Sequence, residues 1–152
     1  MYKVLLFVLA MFAGSTVFAQ AGGSNDAVSW NYSAKKVAAG TYEVHMTATV
    51  KAGWHIYAQA GGDGPVYTSF SFTKSPLFAL TGPVKEVGKK VSVFEKAFNS
   101  KVNYYENTVD FVQTVKLKGS VKTKLVGKVS FMTCNDHECL PPSDLDFAVP
   151  IS

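Results

Sequence analysis

The chain's two cysteines fall in one short stretch, Cys134-Asn135-Asp136-His137-Glu138-Cys139. Residues of these types at this spacing allow three chemistries. The first is a structural staple, but a loop of about six residues contributes only roughly 2.2 kcal/mol by chain entropy, against roughly 4.3 for a bridge closing about 60 residues. The second is a redox pair, since labile and catalytic disulfides occur in small exposed loops rather than in buried bridges that resist reduction. The third is a metal site, with Cys134, His137 and Cys139 as soft ligands and His55 or His45 as a fourth, a set that zinc or copper accepts. The spacing is not Cys-x-x-Cys and no βαβ pattern surrounds it, which excludes a thioredoxin fold.

The redox compartment narrows these three. Lys3 precedes an apolar run of about ten residues from Val4 to Ala13, and Thr16-Val17-Phe18-Ala19 ends in the small residue that a signal peptidase needs. The run is too short to span a bilayer, which takes about 20 apolar residues. The expected organisation is therefore a cleaved signal peptide over 1–19, a flexible N-terminus over 20–27 and one domain over 28–152. An exported chain meets an oxidising, extracytoplasmic compartment, where two neighbouring thiols become a disulfide. That works against metal binding, and His137 between two acids reads as a solvated turn residue. Neither a metal nor any other cofactor is expected. Spacing alone leaves the structural and redox readings even.

The elements that must position this loop read as strands. Thr41 to Val50 alternates strictly and sets Tyr42, Val44, Met46, Ala48 and Val50 on one face. Shorter apolar or alternating runs cover Trp54–Tyr57, Ser69–Phe72, Val91–Phe94, Thr108–Leu117, Leu125–Met132 and Phe147–Ile151, with a weaker one over Val28–Tyr32. Gly40, Gly53, Gly61-Gly62-Asp63-Gly64-Pro65, Gly82-Pro83, Gly88, Gly119-Ser120 and Pro141-Pro142 punctuate them. About eight strands without a helical period predict an all-β fold, an immunoglobulin-like antiparallel β-sandwich. In the connection Glu95–Lys101 a lone Phe98 stands among polar residues, and its plain reading is a small plug under a loop.

At 47% hydrophobic and 17% charged, the 152 residues suit one domain with a sizeable core. The 15 cationic residues are all lysine, and removing Lys3 leaves 14 against 11 acids, a charge of +3. Without arginine the planar fork that reads guanine and phosphate is missing, so nucleic-acid recognition is not expected. No later stretch has transmembrane length, and a monomer without stable membrane insertion is expected.

The stretch from Val129 through the cysteines to Leu140-Pro141-Pro142 resembles the active-site hairpin of the N-terminal periplasmic domain of DsbD, the bacterial thiol:disulfide interchange protein. There, two cysteines four or five residues apart follow an apolar strand and precede a Pro-Pro. Upstream, Ala52-Gly53-Trp54-His55-Ile56-Tyr57 is similar to the Gly-aromatic-x-x-Tyr strand that flanks those cysteines, and Phe98 falls where the family keeps a cap-loop phenylalanine. The resemblance spans about Val28 to Ile151. It implies a thiol-disulfide exchange protein in which Cys139 forms the mixed disulfide with partners and Cys134 closes the intramolecular bridge. It further implies that Phe98 is a lid packed on Tyr57 and Trp54, with His55 and His137 in the surroundings, and that the partners are thioredoxin-like or membrane thiol-disulfide proteins.

Departures from that family bear on the chemistry. Its best-known members carry acids just before the cap phenylalanine, whereas this chain has Lys96-Ala97 with Glu95 one step further off. The acids Asp136 and Glu138 lie inside the cysteine loop, where they raise a thiol pKa and a protonated His137 lowers it. The membrane segment and thioredoxin-like domain that follow in the family are not seen here, which implies electrons supplied by a separate protein. The alternative function is a non-catalytic exported binding module with a structural disulfide.

Overall fold

Alternating burial, the mark of strands with one face on a core, runs through most of the chain. The computed structural model describes residues 21–152, and the signal peptide expected over 1–19 lies outside the described residues. Its strands are β1 (Ala21–Ser24), β2 (Val28–Ala38), β3 (Thr41–Val50), β4 (His55–Tyr57), β5 (Ser69–Phe72), β6 (Phe78–Glu95), β7 (Ser100–Leu117), β8 (Thr123–Phe131), β9 (Thr133–Cys134) and β10 (Ser143–Ile151). The N-terminus expected to be flexible over 20–27 includes a short strand, β1, antiparallel to β2. Among the described residues there is no helix, and none long and apolar enough to cross a membrane.

One sheet runs β1-β2-β3-β7-β4-β9 with β6 along the other edge of β7, and the second runs β10-β8-β5. Every pairing is antiparallel. This is the immunoglobulin-like sandwich that the strand pattern predicts. Its core lies between the sheets, where the Trp30 ring sits 5.8 Å from Phe111 of the first sheet and 5.4 Å from Phe131 of the second. Burying aromatic rings of this size supplies much of a small sandwich's hydrophobic stabilisation.

Two segments differ from the sequence expectation. Gly82-Pro83 and Gly88, expected as breaks, are register shifts inside the single 18-residue strand β6. Proline is tolerated there because β6 is an edge strand and the missing N–H falls at an irregularity. Lys85, Lys89 and Lys90 line this mostly exposed strand, charge that discourages edge-to-edge pairing. The loop expected over Glu95–Lys101 contracts to a turn over 96–99, because β7 begins at Ser100 rather than Thr108 and pairs with β6 up to the Glu95–Ser100 step. Asn99 closes that turn at φ 49°, a left-handed conformation that asparagine tolerates.

The faces of the first sheet explain where the cysteines go. Ile56 and Tyr105 pair across β4 and β7 and join the main core, while their neighbours Tyr57 and Tyr104 pair on the opposite face. There Tyr57, Val102 and Cys134 form a second buried cluster, with Tyr67, Val93, Phe98, Tyr104 and Met132 against it. The chain reaches this face by leaving β8 of the second sheet at Met132 and entering β9, which pairs with β4 in the first.

Candidate functional site

Cys134 and Cys139 form a disulfide with their Cα atoms 4.0 Å apart. The two ends of the bridge have different environments. Cys134 is fully buried, whereas Cys139 is exposed. The loop between them is a hairpin end held by backbone bonds from Asn135 N–H to the Glu138 carbonyl and from Leu140 N–H to the Thr133 carbonyl, both 2.9 Å. The Asn135 side chain completes it, its Oδ1 accepting from the N–H groups of His137 and Glu138 at 2.8 Å each. Asparagine suits this position because its short amide mimics a backbone acceptor.

That contact yields a test. Asn135→Ala strips two backbone donors of their partner in a solvent-exposed turn, so a stability loss of about 1 kcal/mol is expected. Urea unfolding of the oxidised protein measures it, and an unmoved midpoint would show that the disulfide alone holds the loop.

A groove of about 590 Å³ opens beside the bridge, walled by Asn135–Cys139 on one side and by His55, Tyr104 and residues 93–97, the end of β6 and the start of its turn, on the other. His55 is the Cα partner of Cys134 across β4 and β9. Its ring stacks on Tyr104 with centroids 4.2 Å apart, and its Nε2 lies 3.3 Å from the Tyr57 hydroxyl. That hydroxyl donates to the Glu95 carboxylate, 3.1 Å from Oε1 and 3.0 Å from Oε2. A phenol has one proton, so with it directed at Glu95 the bond to His55 requires an Nε2–H donor. Burial above all, then the bond to Glu95 and its charge, push the Tyr57 phenol well up, so it stays protonated. Burial lowers His55 below the usual imidazole value, against the opposing pull of Glu95, Glu106 and Asp136.

The residues singled out in the sequence do not all meet. Phe98 is half-buried and packs edge-on against Tyr57, ring centroids 6.0 Å apart, in the cluster that holds Cys134. It also lies over Gly64, where a Cβ would come within 2.7 Å of the Phe98 Cβ, at φ 148°. Trp54, expected beside Tyr57 beneath the lid, instead packs against the main core. Strand alternation carried back from β4 explains this, because Trp54 shares the parity of Ile56, which faces the main core, whereas His55 and Tyr57 face the other side. His137 is exposed on the cysteine loop and lines the groove. His45 is bonded to Asp110 at 2.7 Å on β3, with Val112 across from it, far along β7 from the segment facing β4. Among the described residues no group of three or more His, Cys, Asp or Glu is arranged to hold a metal.

Sequence reasoning passed over Asn135, Tyr104 and Phe94, and noted Glu95 only as a distant acid. Phe94 is 64% exposed and lines the groove that Cys139 also lines, so it, not Phe98, is the bare aromatic of that groove. The pairing of β6 with β7 brings Glu95 to Tyr57, and no local motif signals such a contact.

The family model described as thiol:disulfide interchange protein DsbD, N-terminal, matches residues 25–150. Among solved structures the fold is similar to the N-terminal periplasmic domain of ScsB from Proteus mirabilis, at 18% identity and a TM-score of 0.57, covering 81% of this chain. The chain spans 47% of that protein's crystallised length. It is also similar to the Neisseria meningitidis DsbD N-terminal domain in the reduced form, at 15% identity and a TM-score of 0.50, covering 69% of this chain and 74% of that one. No curated protein matches the chain.

Proposed function

Because the chain belongs to the family of DsbD N-terminal domains, we propose that it carries out periplasmic thiol-disulfide exchange, passing reducing equivalents between a redox partner and client proteins through a reversible Cys134–Cys139 disulfide. The observation that carries this reading is the unequal exposure of the two cysteines in one small loop beside a groove. Exchange needs one sulfur that a partner can reach and a second, shielded one that resolves the intermediate. In the reducing direction, the Cys139 thiolate attacks a partner's disulfide sulfur and one partner sulfur leaves as thiolate. Cys134 then attacks the Cys139 sulfur, the mixed disulfide breaks, and the partner departs as a dithiol while Cys134–Cys139 is oxidised. Oxidation of a reduced partner runs the same steps backwards. The partners that suit this chemistry are thioredoxin-like or membrane thiol-disulfide proteins.

Equilibration of the pair against glutathione or dithiothreitol buffers tests the proposal. A potential above about −300 mV is expected, and a much lower one marks a structural bridge in a non-catalytic binding module. The reduced protein is expected to stay folded, because a loop this small contributes only about 2 kcal/mol. Circular dichroism of the reduced form at room temperature reads this directly, and unfolding on reduction would favour the staple.

A further inference from the structure

Resolution poses a problem that the exposed cysteine does not share. Cys134 must become a thiolate to attack Cys139, yet it has no exposed surface, and an apolar site disfavours the charged sulfur. Water cannot readily take its proton, so the acceptor has to come from the protein. The side chain directly across the ladder is His55, and opposed residues in an antiparallel pair hold their Cβ atoms roughly 4.5–5.5 Å apart. His55 and Cys139 line the same groove. With Nε2–H engaged by Tyr57, a neutral His55 keeps Nδ1 as its free acceptor.

We propose that His55 is the general base that takes the Cys134 thiol proton as that sulfur closes on Cys139. The inference rests on the exchange reading above. In the step, the Cys134 S–H bond breaks and the proton passes to Nδ1. The Cys134–Cys139 S–S bond forms as the Cys139–partner S–S bond breaks, and the electron pair leaves on the partner sulfur. The imidazolium then returns its proton to that departing thiolate or to water in the groove. Glu95 on β6, Glu106 on β7 and Asp136 in the cysteine loop favour the imidazolium, and Glu138 adds negative charge to the groove wall. Lys96 on one groove wall opposes it, His137 lines the other wall, and the protonated Tyr57 and Tyr104 phenols are neutral. Burial keeps the resting ring neutral near pH 7, the form a base must have.

The reduced protein mixed with 5,5′-dithiobis(2-nitrobenzoate) separates the two steps. The first thionitrobenzoate released reports capture at Cys139 and the second reports resolution by Cys134. His55→Gln is expected to slow the second release about 100-fold, the scale of general-base catalysis, and to remove its acid-side pH limb while leaving the first release within about twofold. His55→Phe keeps an aromatic ring to stack on Tyr104 but has no lone pair, and it should be as slow as the glutamine form. Glu95→Gln withdraws a charge that favours the imidazolium, so the acid-side midpoint should move to lower pH. A second release in His55→Phe as fast as native, or a midpoint unmoved in Glu95→Gln, overturns the assignment of the base. A native protein that captures the reagent but never releases the second thionitrobenzoate overturns the exchange reading itself.

Discussion

A Cys134→Ala form is expected to accumulate covalent partners through Cys139, and a Cys139→Ala form is expected to accumulate none. The difference should be close to all-or-none, because the two sulfurs differ in access rather than by a modest shift in reactivity. Cys139 is exposed on the wall of the groove, so a protein disulfide can present a sulfur to it in line. Cys134 is enclosed by the cluster of Tyr57 and Val102, and no partner sulfur can approach it while that cluster is intact. Removing Cys134 takes away the thiol that resolves the intermediate, and the mixed disulfide persists. Nonreducing electrophoresis of periplasmic extracts, with a purified thioredoxin-like protein as a defined partner, measures the yield. Equal trapping by both forms, or by neither, counts against the unequal roles.

Some of this architecture was legible in the residues because it is set locally. Thr41–Val50 alternates over ten positions, and the strand occupies that range with the expected residues buried. The disulfide was expected from the cysteines' proximity in the chain together with the reading of an export signal, and the two cysteines are bridged. Other parts depend on which strand lies alongside. The residues from Ser100 to Asn107 lie before the strand expected from Thr108, with Ser100 and Lys101 in the polar connection, and become strand because β6 on one edge and β4 on the other satisfy their backbone. The same cross-strand pairing brings Glu95 to Tyr57 and His55 opposite Cys134, contacts between residues up to 79 positions apart in number. Trp54 illustrates the converse error. The family resemblance implied a floor shared with Tyr57, but residues three apart on an extended segment face opposite sides, and the two side chains serve different clusters.

The cap leads to the second large effect. Phe98 shares its cluster with Cys134 and lies on Tyr57, while the groove beside Cys139 is bordered by Phe94. If Phe98 covers the bridge, Phe98→Ala should speed its reduction by dithiothreitol about tenfold or more, since exchange depends on access to sulfur as well as on thiolate character. The stability loss should stay below the roughly 3–5 kcal/mol typical of deleting a core phenylalanine, because Phe98 is only half-buried. Gly64→Ala provides an independent route to the same state. A methyl there would overlap the Phe98 side chain at a backbone angle that glycine alone adopts easily, pushing the ring off its seat without deleting it. Both variants should then reduce faster than native. Faster reduction in Phe94→Ala with no change in Phe98→Ala would transfer the cover to Phe94. A large stability loss in Phe98→Ala with an unchanged reduction rate would make Phe98 a core residue and leave the bridge uncapped.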